Sequence, residues 1–262
     1  MSERRKSYDP IAQIYDRARP SYPAALFDDI VAYANLDDEA RLLEIGSGTG
    51  QATLPLAQRG CAIDCIELGA ELAVVARWNL AAYPKVKVIN ADFETVALSP
   101  PAYDLVYAAT AFHWIDPAIS FSKAHDLLKP GGALALFWHR PALTDASRAY
   151  VFALQDIYRR VAPKMAEAYD VPPGPDEVST EYAELIPNSG LFEQLAIRKH
   201  YVLTEYSAGA YVELLSTFSD HIALPPKTRR QLFKEIGALI KREFAGVVPR
   251  ETVALLYLAR RK

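Results

Sequence analysis

The feature that most constrains this chain is a glycine-rich segment, LLEIGSGTG at residues 42–50, whose first half is a short apolar run. Because glycine lacks a Cβ, a loop built on Gly46, Gly48 and Gly50 can turn sharply and let a ligand approach the backbone closely. A nucleotide-binding loop between a strand and a helix is one interpretation, and a tight turn that only joins them is the other. Both require a strand before the loop and a helix after it.

Strands and helices alternate through the first 140 residues. The apolar runs predict strands at Arg41–Ile45, Ala62–Glu67, Val86–Asn90, Tyr103–Ala109 and 133–138. Between them, helices are predicted over 52–58, 70–81 and from Asp116 to Leu128, where Pro130, Gly131 and Gly132 stop the last one. Since each return of a parallel strand needs a crossover, this order predicts a doubly wound α/β sheet with its ligand at the carboxyl ends of the strands.

The second half of the chain departs from that alternation. Helices are predicted over 144–162, 177–186, 204–218 and 226–244, and strands over 192–203 and 252–260. We therefore expect a single domain with a mostly parallel seven-stranded sheet. Its core comprises about 36–140 plus the two late strands, helical cap insertions cover about 141–190 and 204–247, and residues 1–22 form an N-terminal lid.

The spacing of the glycines bears on the cofactor. A dinucleotide-binding loop has the pattern G-x-G-x-x-G, but here Gln51 stands after Gly50, so the pattern is G-x-G-x-G. Glu44 beside the loop would repel a pyrophosphate and suits a cationic group such as the ammonium of an amino acid. These two features point away from NAD and toward S-adenosylmethionine.

Polar residues also follow the next two strands. Glu67 ends the second strand, where a carboxylate can accept hydrogen bonds from both hydroxyls of a ribose. After the third strand, Asp92 offers an acceptor for an adenine amine and Phe93 a ring that could cover the base. The alternative for Glu67 is an exposed residue at a strand end.

In their order and spacing, the loop, Glu67, the pair Asp92 and Phe93, the strand YDLVYAATAFHW and the turn LKPGG resemble class I S-adenosylmethionine-dependent methyltransferases. The resemblance covers roughly residues 40–140. Outside it, YDRARPSYP at 15–23, AFHWID at 111–116 and the segment 201–219 resemble the branch that contains trans-aconitate methyltransferase.

The resemblance implies a cofactor-binding set made of Tyr15, Arg19, Glu44, Gly46, Ser47, Gly48, Gly50, Glu67, Leu68, Asp92, Phe93 and Thr110. Within it, Glu44 and the glycine loop would hold the methionine part, and Arg19 its carboxylate. The family commonly has Asp where this chain has Glu44. The alternative for Arg19 is a solvated side chain.

His113 and Trp114 follow the fourth strand and are expected to line the substrate pocket. His113 is also the candidate catalytic base, although a lone histidine is more often a packed or surface residue. Because the sulfonium is already activated, alignment of donor and acceptor can supply on the order of 7–11 kcal/mol of the acceleration. A carboxylate acceptor needs no base, whereas a hydroxyl or carbon acceptor usually needs one.

The expected function is therefore methyl transfer from S-adenosylmethionine to a small molecule, with a carboxylate as one candidate acceptor. The alternatives are a cofactor-binding protein without catalysis and an NAD-dependent oxidoreductase. The net charge of −3 argues against a nucleic-acid partner. Without a run of 18 apolar residues we expect no membrane partner and a cytoplasmic location. Cys61 and Cys65 are expected to be buried thiols, with no metal site; the oligomeric state is left open.

Overall fold

The computed structural model describes residues 7–167 and 171–262. Its strands are β1 (Arg41–Ile45), β2 (Ala62–Glu67), β3 (Val86–Asn90), β4 (Tyr103–Ala109), β5 (Leu128–Pro141), β6 (Phe192–Ser207) and β7 (Val247–Arg261). Within the described residues they form one seven-stranded sheet in the order β3-β2-β1-β4-β5-β7-β6. Strands β1 to β5 pair in parallel, whereas β7 runs antiparallel to both β5 and β6. The predicted doubly wound, mostly parallel α/β sheet is confirmed.

Helices cover both faces of this sheet and build the cap. The first half contains α1 (Ala12–Ala18), α2 (Ala24–Ala34), α3 (Thr53–Ala57), α4 (Ala70–Asn79) and α5 (Pro117–Leu127). The second half contains α6 (Asp145–Val161), α7 (Pro163–Glu167), α8 (Tyr182–Asn188), α9 (Ala208–Ser216), α10 (Ser219–Ile222) and α11 (Pro226–Glu243). Among the described helices, none has both the length and the apolar character needed to cross a bilayer.

The core consists of two apolar layers, one on each face of the sheet. In β1, Leu43 and Ile45 belong to one layer and Leu42 to the other, because successive side chains of a strand point to opposite faces. Helix α2 covers the second layer with Leu26, Phe27 and other residues at helical spacing. Burial on both faces explains why the parallel strands read as nearly continuous apolar runs.

The cap has an apolar cluster of its own, contributed mainly by α6, α9 and α11. The carboxylate of Glu251 on β7 ties this cap to the sheet. It accepts hydrogen bonds from the Thr144 hydroxyl and backbone amide, at 2.5 and 3.1 Å, and from the hydroxyls of Ser147 and Tyr201, both at 2.5 Å. The start of α6 is thereby fixed to the antiparallel end of the sheet.

From β5 onward, several boundaries differ from those expected. Strand β5 begins at Leu128 rather than 133. Strand β6 continues to Ser207 and β7 begins at Val247, because Ser207 and Val247 pair with each other. Ser207 then caps α9, its Oγ accepting from the Ala210 amide at 3.3 Å. Near residue 177 the chain forms a short 3₁₀ turn at Pro175–Glu177, and α8 begins only at Tyr182.

Candidate functional site

The glycine loop closes tightly over the carboxyl end of β1. Gly46, Gly48 and Gly50 have φ angles of 68°, 57° and 88°, in the left-handed region that favours glycine. A Cβ on Gly46 would lie 2.5 Å from the Cβ of Ala111, which follows β4. A Cβ on Gly50 would lie 2.8 Å from Leu80. The missing side chain at Gly46 therefore lets the loop lie against the end of β4, and the missing side chain at Gly50 lets Leu80 pack against the loop.

Glu67 at the end of β2 faces this loop with a buried carboxylate. Its Oε2 accepts from the Gly48 amide at 2.7 Å and its Oε1 from the Gly69 amide at 2.8 Å. Burial raises the pKa of the carboxyl, and the two amides act in the opposite direction. Each oxygen retains a second lone-pair direction for a ligand hydroxyl.

Glu44 lies below the loop in the core and lines neither of the cavities described below. Its Oε2 accepts from the hydroxyls of Thr53, at 2.5 Å, and Tyr107, at 2.8 Å. Its Oε1 is buried and has no hydrogen-bond partner among the described residues. Burial raises the pKa of this carboxyl to about 7.

A first cavity of about 810 Å³, partly open to solvent, lies at the carboxyl ends of β1 to β4. Its wall includes ten of the residues predicted from the sequence: Tyr15, Arg19, Gly46, Gly48, Glu67, Leu68, Asp92, Phe93, Thr110 and Trp114. The ring of Phe93 is almost fully buried, with the Lys123 ammonium 5.1 Å from its centroid.

A second cavity of about 900 Å³ adjoins the first on the side of the cap. The two linings share Tyr15, Arg19, Gly46, Gly48, Ala109 and Thr110. Ser47, the remaining loop residue of the predicted set, lines only the second cavity. Other residues that the sequence analysis did not assign to the site also line it, among them Tyr22, His139, Phe218 and Arg250.

The segment before α2 lies along both cavities. The Gln51 amide donates to the carbonyl oxygens of Asp16, at 2.9 Å, and Arg19, at 3.3 Å. The Asp9 carboxylate accepts from the Glu71 and Leu72 amides at the start of α4, at 2.7 and 3.1 Å. Of the predicted lid 1–22, residues 1–6 lie outside the described part of the chain.

Arg19 stands where the two cavities meet. Its Nη2 donates to the Thr217 carbonyl at 2.7 Å, and the guanidinium lies 5.0 and 4.6 Å from the ring centroids of Tyr15 and Phe218. Its Nε is buried without a partner among the described residues. A charged donor in this position is suited to an anionic ligand.

Thr110, directly after β4, has a strained backbone. Its φ of 54° is unusual for a β-branched residue and costs on the order of 1–3 kcal/mol. A hydrogen bond of 2.6 Å between its hydroxyl and that of Tyr22, and another of 2.8 Å from its amide to the Phe137 carbonyl, hold it there. Such strain is typical of functional sites, and here it lies at the junction of the two cavities.

The structure brings Trp114 but not His113 to the first cavity. Trp138 donates its Nε1–H to Nδ1 of His113 at 3.2 Å, which occupies the lone pair of the ring. Partial burial, assisted by the Arg140 charge, lowers the pKa of His113 to about 4. His113 is therefore poorly placed to act as a base. Glu44, Gly50 and His113 are the predicted site residues outside both linings.

Known proteins that are similar to this chain in sequence or fold include methyltransferases. Residues 43–136 match the family model described as a methyltransferase domain. The surrounding fold also matches a phosphoethanolamine N-methyltransferase from Haemonchus contortus, with 14% identity, a TM-score of 0.57 and coverage of 100% of this chain and 60% of that one. Residues 43–136 form a class I S-adenosylmethionine-dependent methyltransferase domain.

Curated relatives of this methyltransferase domain extend the match. An uncharacterised methyltransferase of Mycobacterium tuberculosis is 33% identical over 51% of this chain and 52% of its own length. An uncharacterised methyltransferase-like protein of Schizosaccharomyces pombe is 28% identical over 90% and 84%. The chain thus spans about half the length of the mycobacterial relative.

S-adenosylmethionine is the cofactor of a domain of this class, and the observed residues fit it. The Gly46 turn leaves no room for a side chain where the loop meets the first cavity. Glu67 presents carboxylate oxygens to the same cavity. Buried polar atoms without partners among the described residues surround the loop: Arg19 Nε, Ser47 Oγ and Thr49 Oγ1. The site thus offers hydrogen-bond donors and acceptors to a polar ligand.

Proposed function

We propose that this protein transfers a methyl group from S-adenosylmethionine to a small-molecule acceptor. The observation that carries the proposal is the first cavity, where the glycine loop, Glu67 and the pair Asp92 and Phe93 meet at the carboxyl ends of four parallel strands. When bound, the cofactor supplies an activated methyl group on a sulfonium.

The chain's own residues would bind and orient the cofactor. In the proposal, Glu67 accepts hydrogen bonds from the ribose hydroxyls, Leu68 lies beside the ribose, and Asp92 and Phe93 hold the adenine. Arg19 supports the methionine carboxylate because its guanidinium borders the loop side of the cavity. Glu44, which lines neither cavity, would support the loop from below through Thr53 and Tyr107 rather than contact the ligand.

Alignment, rather than proton transfer, is the contribution we assign to the acceptor side. The lone pair of His113 is taken by Trp138. His139, which lines the second cavity, has its pKa lowered to about 4 by burial and, secondarily, by Arg250. A carboxylate acceptor suits this arrangement because it is ionised without a base.

Two similarities support an oxygen acceptor. A Geobacter sulfurreducens relative, 33% identical over 50% of this chain and 48% of its own length, is named a malonyl-[acyl-carrier protein] O-methyltransferase. The resemblance to the trans-aconitate branch also favours an oxygen acceptor.

The net charge of −3 favours a small molecule over nucleic acid as the partner. A cytoplasmic location remains a prediction.

Two measurements test the proposal. Calorimetric titration should show S-adenosylhomocysteine binding with micromolar affinity and no comparable binding of NAD. Incubation with S-adenosylmethionine and a metabolite library should release S-adenosylhomocysteine only in the presence of an acceptor. Tight NAD binding without S-adenosylhomocysteine binding would contradict the cofactor assignment. Binding without turnover of any acceptor would favour a cofactor-binding protein that lacks catalysis.

A further inference from the structure

The two cavities differ in charge. Carboxylates of Glu67 and Asp92 line the first cavity, together with the guanidinium of Arg19. The lining of the second cavity contains Arg19 and Arg250, and none of its described residues is an Asp or a Glu. An anionic ligand is therefore favoured in the second cavity.

Arg19 and Arg250 occupy different positions relative to the first cavity. Arg19 lines both cavities and borders the glycine loop, whereas Arg250 on β7 lines only the second. If the proposed function holds, Arg19 serves the carboxylate of the cofactor, which leaves Arg250 for another anion. The guanidinium of Arg250 lies 5.8 Å from the centroid of Phe218.

The surroundings of Arg250 indicate what else the ligand contains. Leu214, Phe218 and Pro141 supply apolar surface to the same cavity. Tyr22 stacks on His139 with the ring centroids 4.4 Å apart and forms an aromatic wall. Burial lowers the pKa of His139 to about 4 and keeps its ring neutral near pH 7. Arg250 therefore supplies the positive charge on this side of the second cavity.

We propose that Arg250 recognises an anionic group of the methyl acceptor, and that the acceptor is an organic acid with an apolar skeleton. Arg250 is thus a specificity-determining residue for the proposed reaction. A guanidinium matches a carboxylate with two parallel hydrogen bonds, which fixes orientation as well as position. Thr110 and Gly46, shared by both linings, mark where acceptor and donor meet.

The transfer balances without a proton donor or base. A lone pair on the acceptor's carboxylate oxygen forms the new bond to the methyl carbon, and the electron pair of the broken carbon–sulfur bond stays on sulfur. The carboxylate becomes a neutral ester as the sulfonium becomes a neutral thioether. Where the methylated carboxylate is the group held by Arg250, the product loses its charge and with it the attraction to the guanidinium.

Binding measurements with matched probes test this assignment. Hexanoate and cinnamate are titrated against the full chain saturated with S-adenosylhomocysteine, each beside its neutral primary amide, by ligand-observed NMR. We expect the acids to bind at least about tenfold more tightly than the amides, as a retained charge-assisted hydrogen bond implies. Arg250→Gln should abolish that preference and Arg250→Lys should restore part of it.

Arg148→Gln is the matched control, because it removes one positive charge from an exposed position on α6 whose ion pair is with Asp145, one turn earlier on the same helix. It should keep the acid preference. The affinity for S-adenosylhomocysteine should change less than about threefold in Arg250→Gln, since Arg250 lies outside the first cavity.

An equal affinity of acids and amides in the parent protein would overturn the assignment, as would an acid preference that survives in Arg250→Gln or a failure of both acids to bind. Failure of S-adenosylhomocysteine to bind would instead contradict the proposed function. In that event the same acid and amide titrations on the unsaturated protein still decide the role of Arg250.

Discussion

Replacement of Glu67 by alanine tests the cofactor site at its most defined point. The substitution removes the acceptor of the Gly48 and Gly69 amides and, in the proposal, the acceptor of both ribose hydroxyls. Glu67 is only 6% exposed, so water replaces these contacts poorly. The variant should therefore lose cofactor affinity and also some stability without any ligand.

The affinity loss follows from charge-assisted hydrogen bonds, which contribute about 1.5–3 kcal/mol each. Because two such bonds to one carboxylate are not additive, we expect a total of about 2–4 kcal/mol, which corresponds to a dissociation constant roughly 30- to 700-fold higher. In the unliganded protein two amides lose their acceptor, but burial of the carboxylate, reflected in its raised pKa, offsets part of that loss. A net destabilisation of about 1–2 kcal/mol lowers Tm by about 2–4 °C.

Calorimetry with S-adenosylhomocysteine and a thermal scan of the unliganded protein measure the two effects separately. Glu71→Ala serves as the control, because it removes an exposed carboxylate in the first turn of α4, four residues after Glu67. It should leave the dissociation constant nearly unchanged. A lower Tm for Glu67→Ala with an unchanged dissociation constant would show that the ribose is held by other residues and would refute this reasoning.

Three further predictions concern the lid, the core acid and the candidate base. Arg19→Ala should weaken S-adenosylhomocysteine binding, and hydrogen exchange of residues 8–20 should slow when that ligand binds the parent protein; equal protection in both states would contradict a ligand-coupled lid. Burial raises the pKa of Glu44 to about 7. The neutral carboxyl therefore contributes stability that is fully present below about pH 4.5, the ordinary pKa of Glu, and is lost as the pH rises through about 7. In urea titrations, the unfolding free energy of Glu44→Gln minus that of the parent should therefore increase by about 2–3 kcal/mol as the pH is raised from about 5 to about 8. A difference that does not change with pH would contradict a raised pKa at Glu44. His113→Phe should lower kcat by less than about threefold, whereas a loss near a hundredfold would restore its role as a base.

The first half of the fold follows closely from local sequence patterns. The predicted bounds of β1 to β4 agree with the structure, because each is a short run in which apolar residues predominate. The carboxyl ends of parallel strands meet at one edge, so Gly46, Glu67 and Asp92 could be assigned to one site from their order alone.

The second cavity could not be predicted in the same way. His139 and Arg250 meet there because β5 and β7 pair antiparallel, with Pro141 opposite Thr252, and this register depends on contacts more than 100 residues apart in sequence. Arg250 lies within β7, outside the strand predicted at 252–260. Its role is visible only once the sheet is assembled.

His113 illustrates a different limit. Its position after β4 matches the expected substrate side, but the direction of the side chain is decided by Trp138, which lies on β5 and donates a hydrogen bond to Nδ1. The sequence thus predicts the position of the backbone at His113 more reliably than the hydrogen-bond partner of its ring.

Arg250 and Glu251 are consecutive on β7 and therefore point to opposite sides. One lines the second cavity, and the other anchors α6 through Thr144 and Ser147. The insertions are thus attached to the sheet beside the residues that line the second cavity. Leu214 and Phe218 of the cap line the second cavity but not the first, so in evolutionary terms a substitution at either of them changes the proposed acceptor side more directly than the donor side.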